Sequence, residues 1–204
     1  MADQLYLSLW YPNFRLTSLG PALLGVMRQF NLAGGNRQVR SAAAYPISWN
    51  EAPQYQRIYD EDEAEAGAPE EAVPAALELL HEDFAYEFEL TWELWTPEIG
   101  GGLDPLWRKQ PSVVRIVGFG PEFDEAAYEQ NGQIRIDFGL DSPFLYEDLD
   151  LDPDAAARVK QNVQMLVDFT NRVQQHCGIS SRLLWSESGE TLAQKLIQRL
   201  QQVN

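Results

Sequence analysis

The chain reads as an α+β protein: a mainly antiparallel or mixed β-sheet with helices packed mainly on one face, its first half ferredoxin-like (β-α-β-β-α-β), its second half extending the sheet. Three observations predict this. Phe84, Tyr86, Phe88, Leu90, Trp92 and Leu94 alternate with Ala85, Glu87, Glu89, Thr91 and Glu93, the period-two pattern of a half-buried strand. Val159, Val163, Leu166, Phe169, Val173 and Cys177 form one apolar helical stripe. Shorter segments of both kinds alternate along the rest of the chain.

Leu5, Leu7 and Leu9 alternate with Tyr6, Ser8 and Trp10 and predict a first strand ending near Pro12. Leu19, Leu23, Met27 and Phe30 then recur at helical spacing, with Pro21 in the first turn and Gly34-Gly35 as the exit. Val39 to Ser48 reads as a small-residue strand, in which Pro46 points to an edge or a bulge, and Tyr55 to Tyr59 as its hairpin partner. Asp60 to Pro69 is acidic and has no apolar side chain larger than alanine, so a mobile loop is expected over 60–69. Glu71 to His81 predicts a short helix, on condition that Pro74 falls in its first turn. The aromatic strand follows and completes the β-α-β-β-α-β order.

After Gly100-Gly101-Gly102, Val113 to Phe119 and Ile134 to Leu140 read as strands of an antiparallel meander, with Arg115 and Arg135 on polar faces near Glu87, Glu89 and Glu93. Asp152-Pro153 is a strong helix start, because the carboxylate can accept from an orphan N–H and proline pre-sets the first helical φ. That helix ends at Gly178. Ile179 to Trp185 then reads as a last strand, and Thr191 to Val203 as a final amphipathic helix.

With 204 residues, 45% of them hydrophobic and 11% aromatic, the expectation is a single α+β domain over 1–204, divisible into halves 1–99 and 103–204. Net charge is -16, and from Ile58 to Trp107 the chain holds fifteen Asp or Glu and no Lys or Arg. Such a balance argues against nucleic acid, which is held through clustered Lys and Arg, and against anionic membranes. One cysteine, Cys177, excludes an intrachain disulfide and favours a reducing compartment. The N-terminus lacks a basic n-region, and no apolar run approaches the roughly 20 residues of a membrane span, so the expectation is a soluble, cytoplasmic protein.

No catalytic motif emerges. Asp148, Asp150, Asp152 and Asp154 alternate as in a calcium loop, but Pro153 and Val159 stand where an EF-hand needs glycine and a bidentate glutamate, and helix capping accounts for Asp152 and Asp154. His81 and His176 have no ligand-spaced partners, so neither metal nor cofactor is expected. His176 and Cys177 are helix neighbours pointing about 100° apart, and Cys177 completes an apolar stripe. The glycines of Gly118-Phe119-Gly120-Pro121 and Gly100-Gly101-Gly102 fit no phosphate-binding loop.

Two functional expectations follow. The first is a non-enzymatic interaction protein that binds a basic protein partner through an acidic surface, with Asp60, Glu61, Asp62 and Glu63 as partner-binding residues. Bacterial immunity proteins that neutralise basic toxins offer an analogy of charge and size that carries no motif. The alternative is a small-molecule-binding protein or hydrolase whose pocket lies at an aromatic strand-end rim of Trp10, Tyr11, Tyr45, Trp49, Trp95 and Trp185.

Overall fold

The computed structural model describes residues 2–59, 67–98, 106–146 and 152–187. Its strands are β1 (Gln4–Trp10), β2 (Ser41–Pro46), β3 (Tyr55–Ile58), β4 (Phe84–Glu98), β5 (Leu106–Phe119), β6 (Ile134–Leu140) and β7 (Ser181–Ser186). They form one sheet in the order β3-β2-β4-β5-β6-β1-β7, and every neighbouring pair is antiparallel. The helices are α1 (Leu19–Leu32), α2 (Pro69–Ala76), the single turns α3 (Tyr128–Asn131) and α4 (Ser142–Leu145), and α5 (Pro153–His176). The α+β class and the largely antiparallel sheet are therefore present.

The ferredoxin-like pairing is not. The element order β-α-β-β-α-β does run along the first half, but β1 pairs with β6 and β7, while β5 and β6 separate it from β4. Loop closure accounts for this. Strand β5 follows β4 directly and pairs with it from Ala85↔Phe119 to Glu98↔Leu106, so the inner edge of β4 is taken by a local hairpin rather than by the distant β1. The predicted strand began only at Val113, because Arg108 to Pro111 shows no apolar alternation.

Alternation divides the sheet into two faces. Leu5, Leu7 and Leu9 of β1, Tyr86, Phe88, Leu90, Trp92 and Leu94 of β4, and Ile134, Ile136 and Phe138 of β6 are all buried on one side. There they meet Leu23, Met27 and Phe30 of α1, Val73 of α2, and Val163, Leu166, Phe169 and Val173 of α5. Phe30 contacts Trp92 and Phe169 at centroid distances of 5.5 Å each, so the aromatic strand and both long helices share one core. The opposite face carries Glu87, Glu89, Arg115, Arg135 and Asp137.

Some local expectations change. Pro46 sits in an interior strand, tolerated because β3 pairs only with Ser41 to Ala44 and leaves the last β2 positions free on that side. Helix α2 starts at Pro69, so Pro74 lies inside it rather than in its first turn; the missing N–H coincides with a helix that ends at Ala76 and tightens into a 3₁₀ turn over Leu77–Leu79. The expected loop 60–69 is described only from Gly67, and Pro69 already belongs to α2. The expected helix over Thr191 to Val203 and the carboxylates Asp148 and Asp150 lie outside the described residues.

Helix α5 starts as expected: Asp152 Oδ1 accepts the Ala155 N–H at 2.7 Å. Within it, Asn162 is fully buried. Its Oδ1 accepts the Trp95 N–H at 2.9 Å, and its Nδ2 donates to Trp95 O at 2.9 Å and to Pro143 O at 2.8 Å. Strand β2 stops pairing with β4 at Glu89, and Asn162 therefore serves the exposed backbone of Trp95 as a missing strand would.

Candidate functional site

One end of the sheet gathers the termini of β2, β4, β5, β6 and β1. Three chain segments close it: 47–54 after β2, 80–83 before β4, and 120–131 between β5 and β6. Backbone hydrogen bonds stitch them together. Ile47 N–H donates to Asp83 O at 2.7 Å, Asp124 N–H to Ile47 O at 2.8 Å, and Glu122 N–H to Glu82 O at 2.8 Å. Glycine permits the approach: a Cβ on Gly120 would lie 2.3 Å from Glu82 O, and Gly132, at φ +84°, brings the end of α3 against Leu9.

These segments hold Glu51, Glu82, Asp83, Glu122, Asp124, Glu125 and Glu129, and no Lys or Arg. Among the described residues none of the seven is ion-paired. Four carboxylates elsewhere have a cation. Arg115 Nε donates to Glu89 Oε1 at 3.0 Å and its Nη1 lies 3.9 Å from Asp137, Glu98 faces Arg108 at 3.2 Å, and Glu71 faces Arg57 at 3.3 Å.

The acidic end is also conformationally unusual. Ile47, β-branched and 60% exposed, has φ +63°, and Asp124, Glu125 and Ala126 follow one another at φ +48°, +56° and +65°. Left-handed backbone costs a non-glycine residue roughly 1–2 kcal/mol, so the stitched loops hold conformations these residues avoid.

Behind Ile47 lies a second, smaller core. Tyr45 and Phe119 flank Ala85 across the strands, and its small side chain leaves room for Trp49 and Phe123 from the loops. Trp49 lies 5.2 Å from Tyr45, 6.2 Å from Phe119 and 5.1 Å from Phe123. The stack continues across the open face. Arg135 sits 5.3 Å from the Phe119 ring and 5.2 Å from that of Tyr6, and Tyr6 lies 4.6 Å from Trp185. Aromatic and guanidinium groups thus form a ladder from β2 to β7.

The six aromatics expected at one rim therefore separate. Tyr45 and Trp49 join the second core, and Trp185 ends the ladder with its Nε1 donating to Ser8 Oγ at 2.9 Å. Trp10 reaches the acidic end through Nε1 donating to Glu129 O at 3.3 Å. Tyr11 packs 5.9 Å from Phe14, beside a slot of about 220 Å³ lined by these two with Leu16, Phe119, Pro121, Tyr128 and Gln133. Trp95 lies at the other end of β4, holding Arg158 at 5.5 Å and Lys109 at 5.7 Å over its ring and donating Nε1 to Gln161. Asp60, Glu61, Asp62 and Glu63 lie outside the described residues.

On the open face Glu87 is half-buried, and burial raises its carboxyl above the ordinary range despite the lowering effect of Arg115. Burial likewise pushes the Cys177 thiol up to about 11, which keeps it protonated and unreactive at neutral pH. Among the described residues no group of His, Cys, Asp and Glu is placed to hold a metal ion, and no helix is long and apolar enough to cross a membrane.

Nothing local in the sequence marks the carboxylates of segments 49–54 and 122–131, since they lie far apart along the chain and only the strand order brings them together. Comparison of the chain with protein-family models, curated proteins and solved structures finds no match in any of the three.

Proposed function

We propose that the chain is a non-enzymatic interaction protein that binds a basic protein partner through the acidic end of its sheet. One observation carries the reading: the seven carboxylates of the three segments that also carry an exposed Ile47 and a half-buried Trp49 form no ion pair among the described residues, whereas Glu71, Glu89, Glu98 and Asp137 have internal cations. An apolar centre inside a charged rim is the anatomy of a protein interface, and unpaired like charges raise association rates with a partner of opposite sign. Strained backbone held by cross-loop hydrogen bonds supports the same reading, because such geometry concentrates where a surface must keep a fixed shape. The resemblance to immunity proteins remains one of charge and size.

Binding of a lysine homopolymer of about twenty residues, followed by biolayer interferometry, tests the location. Reversing Glu122, Asp124, Glu125 and Glu129 to lysine should slow association at low salt by tenfold or more, and the difference should shrink as the Debye length falls from about 30 Å at 0.01 M to about 8 Å at 0.15 M salt. Reversing Glu70, Glu71, Glu78 and Glu93 changes net charge equally and should matter much less. Equal effects from the two quadruple variants would defeat the proposal.

A further inference from the structure

Resting on the function just proposed, we infer that the slot between the β1–α1 connection and the β5–β6 connection is the anchor site for an arginine side chain of the partner. The slot opens at the acidic end. Its volume of about 220 Å³ suits one long side chain and is small for a cofactor-sized ligand.

Its walls fix the chemistry of the occupant. Tyr11, Phe14, Phe119 and Tyr128 are aromatic, Leu16 and Pro121 are apolar, and Gln133 supplies the polar group. Phe119 already carries the guanidinium of Arg135 at 5.3 Å, which leaves Tyr11, Phe14 and Tyr128 as rings open to a further cation. Tyr11 and Phe14 stand 5.9 Å apart with planes inclined by 44°, forming a wall against which an aliphatic stem can lie. Gln133 is 8% exposed, and its Oε1 accepts the Tyr11 N–H at 2.8 Å, which orients the amide and leaves that oxygen a second lone pair.

Charge selects the same occupant. Glu122 follows Pro121 and Glu129 follows Tyr128, so two of the unpaired carboxylates are chain neighbours of the lining, and the seven of this end outnumber the two nearest cations, Arg15 between Phe14 and Leu16 and Arg135 over Phe119. A neutral apolar side chain would fill the rings and leave the carboxylates unused. Arginine is preferred over lysine because its planar guanidinium stacks on rings while donating several hydrogen bonds.

The probe is tri-arginine amide, titrated into the full ¹⁵N-labelled chain and followed by amide chemical shifts. Saturable shifts should centre on Tyr11, Phe14, Tyr128 and the Gln133 side chain. Tri-citrulline, of the same shape without the charge, should produce none. Tyr128→Leu, which keeps bulk and removes the ring, should weaken binding about tenfold while the remaining spectrum stays that of the folded protein, and Phe14→Leu should act in the same direction. Shifts confined to 47–54, 80–83 and 122–126 would overturn the anchor and leave the acidic interface standing. Equal binding of tri-citrulline would also overturn it. Absence of any shift would overturn both readings.

Discussion

Glu87 shows how a single side chain reports its surroundings. Because burial raises its carboxyl in the folded state, the native protein holds the proton more tightly there than the unfolded chain, whose carboxyl stays near 4.5. Its contribution to stability is therefore lost as pH rises from the unfolded value through the elevated folded one. Glu87→Gln should raise the melting temperature at pH 7 and flatten the fall that sets in above the unfolded value of 4.5; an unchanged slope would contradict the assignment. Asn162 presents the opposite case, a neutral group whose removal orphans three backbone partners. Asn162→Ala should cost about 2–4 kcal/mol in urea unfolding, and Asn162→Asp, which keeps only the acceptor, a similar amount. Asp152 was readable as a cap from its neighbour Pro153, because capping is local. Asn162 was not, since its partners on β4 and before α5 lie 67 and 19 residues away.

At the scale of elements, periodicity told most where one face is buried and the other wet. Strand β4 was legible from Phe84 onward, and Phe88→Ala should cost about 3–5 kcal/mol in chemical denaturation, against about 1 kcal/mol or less for Glu89→Ala, which loses an ion pair with Arg115 and a hydrogen bond from Ser41. The first half of β5 was illegible because pairing with β4, and not its own pattern, makes it a strand. The loop after β2 hides a different quantity. Ile47→Gly should stabilise the fold by about 0.5–1 kcal/mol in the same assay, relief of left-handed strain outweighing the greater freedom glycine has in the unfolded chain. A loss of stability would mean that the exposed Ile47 side chain packs more tightly than its surroundings show.

For the whole molecule, the decisive fact is how strand order distributes charge. Composition announced an acidic protein and the sequence placed its densest acids between Ile58 and Trp107, but the end described above draws on carboxylates up to 78 residues apart, Glu51 to Glu129. No local rule could have joined them, because the join depends on β4 pairing with β2 on one side and β5 on the other. The same crowding carries a cost in self-repulsion. Raising salt from 0.01 M to 0.15 M should increase the melting temperature, and the variant with lysine at 122, 124, 125 and 129 should begin higher and gain less; calorimetry at the two salt concentrations checks both.

The strand order also bears on biosynthesis. Strand β1 leaves the ribosome before the other described strands, yet its two neighbours are β6 and β7, so Leu5, Leu7 and Leu9 have no sheet partners until Ile134 to Leu140 and Ser181 to Ser186 have been made. At 5–20 residues per second that interval is about 10–35 s for β7. Throughout it a strand-forming apolar segment waits unpaired, while the hairpin of β4 and β5 can already close on itself. The nascent chain is thus most vulnerable to aggregation during the interval that ends as β7 emerges.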